Sequence, residues 1–133
     1  MNEPRLKPRL SDTELRLVQS EAHAMLGDIA ALSAVVIATE DGFDLASVVR
    51  NGLDASRVAA LASSIAAIGQ VVSSEAKLGR ARSVIIDTDE GFAAIYSVPR
   101  PGASLVINVI AGADALLGQV NYRAAAAVRT LSR

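Results

Sequence analysis

Between Arg57 and Glu75 the chain runs for 17 residues without a charge. Periodicity predicts one helix over about 55–78, roughly 36 Å long if unbroken. A helix on the surface of a globular domain shows a polar face opposite its apolar one; this segment does not. It shows two apolar stripes instead. Val58, Leu61, Ile65, Ile68 and Val72 are large, whereas Ala59, Ala62, Ala66, Gly69 and Ser73 are small. The large stripe is expected to cover the chain's own sheet and the small stripe to let another helix approach closely. No other helix of the chain is as apolar all round, so the approaching helix is expected to come from a second copy. The stretch is diluted by Ser63, Ser64, Gln70 and Ser73, and falls short of the roughly 20 strongly apolar residues that span a bilayer.

The elements around it follow from local signals. Residues 1–10 carry Pro4 and Pro8 among Arg5, Lys7 and Arg9 and are expected to form a flexible basic tail, with a single domain over 11–133. Ser11 and Glu14 have capping-box spacing, and Leu15, Val18, Ala22 and Met25 continue a helix over about 12–26, with Gly27 as its stop. Ala34–Thr39 and Phe43–Val49 flank Asp41-Gly42, a hairpin signal; Leu45, Ser47 and Val49 are expected on one face of the return strand. A second hairpin spans Arg82–Thr88 and Phe92–Val98, and Ser104–Ala111 is a fifth strand. Asp114 is expected to cap a last helix with Leu117, Val120, Ala124, Val128 and Leu131 on its apolar face. The order α-β-β-α-β-β-β-α predicts an α/β sandwich, its five-stranded, mostly antiparallel sheet lying between the long helix and the two terminal ones.

Composition removes several kinds of chemistry. With no cysteine and one histidine, thiolate nucleophiles, disulfides, thiolate zinc sites and His-rich metal centres are excluded within one chain. Only four side chains are aromatic, and the net charge is −1, so nothing favours a nucleic-acid partner. The 25 alanines suit close helix packing better than a roomy ligand pocket. Asp87-Thr88-Asp89-Glu90-Gly91 lacks the ligand spacing of a calcium loop. Glu40, Asp41 and Asp44 sit at a hairpin tip rather than in a cleft, and His23 has no nucleophile partner at a useful spacing. Gly112-Ala113-Asp114 lacks the lysine of a phosphate loop, and Arg57 stands near a helix start. Asn108 is an odd amide in mid-strand, expected on the face away from Val109 or paired with a neighbour. No catalytic, cofactor-binding or metal site is expected. Membrane insertion is not expected either, and the cytoplasm is the expected compartment.

Several strings, in order, resemble the roadblock/dynein-light-chain domain family, including its MglB-like branch. Val35-Val36-Ile37-Ala38-Thr39-Glu40-Asp41-Gly42-Phe43-Asp44-Leu45-Ala46 is similar to that family's first hairpin. Val58–Ala62 and Ile68-Gly69 resemble its long helix, and Ser83–Asp87 with Gly91–Val98 its second hairpin. Leu116-Leu117-Gly118 resembles the opening of its last helix. The resemblance covers about residues 12–132; Leu32-Ser33-Ala34, where the family often has a glycine, departs from it, as does the tail.

The resemblance implies a profilin-like fold and a dimer that pairs the long helices and the edge strands after them. The interface expected from this and from the small stripe comprises Ala62, Ile65, Ala66, Gly69, Val72, Ser73, Ser83, Val84, Ile85 and Ile86. The resemblance also implies a platform for Ras-like small GTPases that lends no catalytic residue of its own. Arg57, Ser63, Ser64, Gln70, Ser74 and Lys77 are the expected partner surface. The functional expectation is a non-enzymatic homodimer that modulates a small GTPase. The alternatives are a dimeric scaffold indifferent to nucleotide and a small-molecule sensor.

Overall fold

The computed structural model describes residues 10–133. The expected basic tail lies outside the described residues except for Leu10, which is half-buried and packs against the core. Three helices and five strands follow in the expected order: α1 (Asp12–Asp28), β1 (Leu32–Thr39), β2 (Asp44–Val49), α2 (Ala55–Glu75), β3 (Ser83–Thr88), β4 (Gly91–Val98), β5 (Leu105–Gly112) and α3 (Leu117–Leu131). The strands form one sheet in the order β2-β1-β5-β4-β3, antiparallel at every junction. The hairpin β1–β2 and the meander β3–β4–β5 are thus joined through β1 and β5. α2 links the two edge strands across one face of the sheet.

The larger core lies on the other face. Val18, Ala22, Met25 and Leu26 of α1 and Val120, Ala124, Ala127 and Leu131 of α3 pack on Val35, Ile37, Leu105, Ile107 and Val109. Burying each Val, Leu, Ile or Met among them stabilises the fold by about 1.5–3 kcal/mol. Tyr96 belongs to this core, and its hydroxyl donates to Asn121 Oδ1 at 2.5 Å. Burial pushes the phenol pKa up to about 12. α1 and α3 are also tied by Arg123, which donates to Glu21 and Asp28 at 2.7 Å each.

The caps explain the helix boundaries. Ser11 and Glu14 form the full capping box, and Glu14 also pairs with Arg100. The Ser11 backbone bond, followed by the Ser11 hydroxyl and Arg100, lowers the Glu14 carboxyl below its ordinary value. α1 runs one residue past Gly27 and has no basic residue in its last turn; Arg50 takes over that role from the end of β2. Its guanidinium donates to the carbonyl of Leu26, in the last turn of α1 and of the kind a helix end otherwise leaves unpaired, and to those of Ala30 and Leu32 in the connection and the start of β1. α3 starts later than expected, with Leu116 at its N-cap and no side-chain cap bond, so Asp114 does not cap it.

β2 also departs from simple alternation. Ile37 pairs with Ala46 but Ala38 with Asp44, so Leu45 is an extra, bulged residue. Leu45 therefore packs against the same core as Ala46 and Val48 instead of sharing a face with Ser47 and Val49.

Candidate functional site

α2 begins at Asp54, whose carboxylate accepts from the Arg57 amide. It ends in a Schellman arrangement: Leu78 N–H donates to Ser73 O and Lys77 N–H to Ser74 O, with Lys77 at φ +56. The helix therefore stops at Glu75, three residues short of expectation. Its orientation on the sheet corrects the expected roles of the two stripes. Ala59, Ala62, Ser63, Ala66 and Ser73 are the buried residues of α2, packed among Val36, Ala38, Ile95 and Val106. Gly69 also faces inward, since a Cβ there would lie 2.8 Å from Val84 Cγ2. The physical reason is volume. The sheet presents large side chains on this face, and a helix lies close to them only through small ones.

Of the large stripe, Val58 and Ile65 are half-buried and pack against the core as expected, whereas the others point outward. Leu61, Ile68, Val71 and Val72 of α2 are 55–63% exposed, and Leu78 just beyond it 76%. By length and composition alone α2 could cross a membrane, contrary to the expectation from its polar dilution. Its inner face, however, is pinned to the domain by polar bonds. Ser63 Oγ donates to Thr39 O at 2.9 Å, and Ser73 Oγ to Gly79 O. Gln70 pairs with the backbone of Ala81 as a strand would, donating to its carbonyl at 2.8 Å and accepting from its amide at 3.1 Å. That pair fixes where β3 starts relative to α2.

β3 is the sheet edge beside the exposed apolar face. All six of its residues pair with β4 in unbroken register, and its outer side carries no strand. An unblunted edge of this kind is a template for another strand. A groove of about 690 Å³ runs between the two elements, lined by Ile65, Ile68, Gly69, Val72, Leu78, Arg80, Arg82 and Val84, among others. Exposed helix, groove and open edge make one continuous apolar surface, of the sort that marks an interaction site.

The expected site residues divide accordingly. Val72, Ser83 and Ile86 are exposed on this surface and Ile65, Val84 and Ile85 are half-buried. Ala62, Ala66 and Ser73 are buried within the chain, and Gly69 meets Val84. Of the expected partner surface, Arg57, Ser64, Ser74 and Lys77 are exposed, whereas Ser63 is buried and Gln70 is half-buried and spent on Ala81. Leu61 and Ile68 were expected to face the sheet and face outward instead, and Val71 and Leu78, in neither stripe, join them there. The signal that could have found them is the β-branched and large character of the strands α2 must cover.

The other candidate groups of the described residues lie apart from one another. Glu40 and Asp41 line one shallow groove and Asp44 another, so the three acids share no cleft. Partial burial raises the Asp44 carboxyl, against a lowering bond from Ser47. His23 binds the Gln19 carbonyl of its own helix. Among the described residues no three His, Cys, Asp or Glu side chains converge to hold a metal. Asn108 is buried on the α2 side, in register with Val36 and Ile95, and its Oδ1 has no hydrogen-bond partner.

No family model matches the sequence, and no curated protein matches it. Solved structures do match. A roadblock/LC7 domain from Streptomyces avermitilis superposes with a TM-score of 0.74 at 21% identity, over 85% of this chain and 92% of that one. MglB from Myxococcus xanthus gives 0.79 at 15%, over 92% and 90%. The gliding protein MglB from Thermus thermophilus gives 0.80 at 16%, over 96% of each chain. The chain thus has the roadblock/LC7 fold, as its sequence resemblance implied; the similar structures include two MglB proteins.

Proposed function

We propose that this chain is a non-enzymatic homodimer acting in the cytoplasm as a regulator or platform for a Ras-like small GTPase, altering the GTP cycle by binding. The observation that carries the proposal is the outward apolar face of α2 beside the unblunted β3 edge. Leu61, Ile68, Val72 and Leu78 leave that face costly in water, and a second copy seated there removes it from solvent while its β3 satisfies the open backbone. Ile65, Val84, Ile85 and Ile86 complete this seam. Ala62, Ala66, Gly69 and Ser73 support it from behind by holding α2 close to the sheet.

Pairing two α2 helices side by side creates a broad platform whose outer rim carries Arg57, Ser64, Ser74 and Lys77. The GTPase partner follows from the sequence resemblance, and the fold shared with MglB supports it.

The test is capture from source-cell lysate on the immobilised protein, loaded with a non-hydrolysable GTP analogue or with GDP, and read by mass spectrometry. Enrichment of a Ras-like protein with the analogue alone is the expected result. Partners that ignore the nucleotide, with no small GTPase among them, would overturn the GTPase reading and leave a scaffold.

A further inference from the structure

The flank of α2 turned away from β3 borders a second groove, of about 420 Å³, within the size range of small-ligand sites. Val98, Leu105 and Val106 form its floor, and Ala66 and Ala67 line it from the helix. The short side chains on this flank leave the space unfilled.

Hydrogen bonds fix both ends of the groove. At one end Ser63 Oγ donates to Thr39 O at 2.9 Å, and Glu40 N–H donates to Ser104 O at 3.1 Å. Gly42 lies so close to α2 that a Cβ there would sit 3.3 Å from Ala60 Cα. The β1–β2 turn is thus seated on the helix, with Glu40 and Asp41 lining the groove. At the other end Gln70 pairs with the backbone of Ala81, which brings the neighbouring Arg80 to the groove. Ser63 and Gln70 are two turns apart on α2, so the ends are separated by about 10 Å.

The ends carry opposite charge. Glu40, Asp41 and Arg80 are exposed, and none makes an ion pair among the described residues. Ser97 and Ser104 also line the groove, and their hydroxyls can donate or accept. A ligand answering all of this has a cation and an anion about 10 Å apart, joined by an apolar body with hydrogen-bonding groups. An extended chain spans about 3.3–3.6 Å per residue, so a tripeptide with free termini has the required length and charges.

We propose that this groove binds a short zwitterionic peptide, its amine toward Glu40 and Asp41 and its carboxylate toward Arg80. The function is separate from the seam, since the two grooves flank opposite sides of α2 and share only Arg80 among their described lining residues.

The test is a two-dimensional NMR titration of the full chain with the tripeptide Ala-Leu-Ala, free at both ends. Saturable shifts are expected at Ala67, Gln70, Ser97 and Ser104. Blocking the amine by acetylation, or the carboxylate by amidation, is expected to weaken binding about threefold to fivefold each, as the loss of an exposed charge pair does. Arg80→Gln should bind the free and amidated peptides equally while still preferring the free amine. Glu40→Gln with Asp41→Asn should show the converse.

Shifts that do not saturate, or that appear along β3 instead, overturn the proposal, as do blocked peptides that bind as tightly as the free one. Tighter binding of a longer peptide with the same three residues at its centre also overturns it, and would make the groove a dock for a polypeptide.

Discussion

Lysine placed at two positions of α2 separates its inner from its outer face. Ala62 is 2% exposed, among Ala66, Ile95 and Val106. Ala62→Lys forces an ammonium into that contact or pushes the helix off the sheet. Either outcome costs about 3 kcal/mol or more, as an unpaired buried charge does. Ile68 is 62% exposed, so little more than a third of its side chain is covered. Ile68→Lys therefore costs the isolated chain only about 1 kcal/mol, a fraction of the roughly 2–5 kcal/mol of a fully buried truncation.

The assay is urea unfolding followed by circular dichroism over a series of protein concentrations. A dimerising chain gains stability with concentration by mass action. The wild-type midpoint should climb along the series. Ile68→Lys should give a flat series near the dilute wild-type limit, and Ala62→Lys should unfold early at every concentration. A stable Ala62→Lys beside an unfolded Ile68→Lys would show that the small stripe faces outward after all. A concentration dependence retained by Ile68→Lys would refute the seam.

Gly91 adopts φ +147 where β4 meets β5, and a Cβ there would collide with the Ala111 carbonyl. Gly91→Ala should therefore cost about 3 kcal/mol in thermal or urea unfolding. Lys77 holds a left-handed conformation at the C′ position of α2, so Lys77→Gly should stabilise the chain by about 0.5–1 kcal/mol in the same assay. The Tyr96 pKa is raised in the folded chain from an ordinary 10.0 to about 12. Its stabilisation is complete below pH 10 and is lost as pH climbs toward 12, by about 2 kcal/mol; Tyr96→Phe should flatten that alkaline limb of a stability-against-pH curve. Ser63→Ala removes a buried bond to Thr39 O and should cost about 1 kcal/mol while leaving capture of partners unchanged.

Much of this architecture could be read from local signals. The capping box at Ser11 and Glu14, the Asp-Gly turn and the order of hairpins all depend on residues a few positions apart, and the structure has them where the spacing predicts. What the sequence did not reveal depends on partners far along the chain. The two stripes of α2 were legible, but which one meets the sheet is decided by the bulk of Val36, Ile95 and Val106, on strands before and after it. Arg50 closing the end of α1 is a contact between elements that neither segment signals. The bulge at Leu45 likewise arises from pairing, because alternation in β2 looks regular until β1 is laid beside it. Of the residues read as candidate surface on α2, Ala62, Ser63, Ala66 and Ser73 turn out to be buried against the chain's own sheet.

The bulge at Leu45 bears on how large an assembly this fold can build by strand pairing. A sheet with two mateable sides can keep adding chains end on end, as fibrils do. Among the described residues the β2 side is kinked by its extra residue, and only the β3 side offers an uninterrupted ladder. In the dimer proposed above, each chain spends its single mateable side on the other. Growth then halts at a closed twofold pair, and any higher-order association has to recruit a different surface.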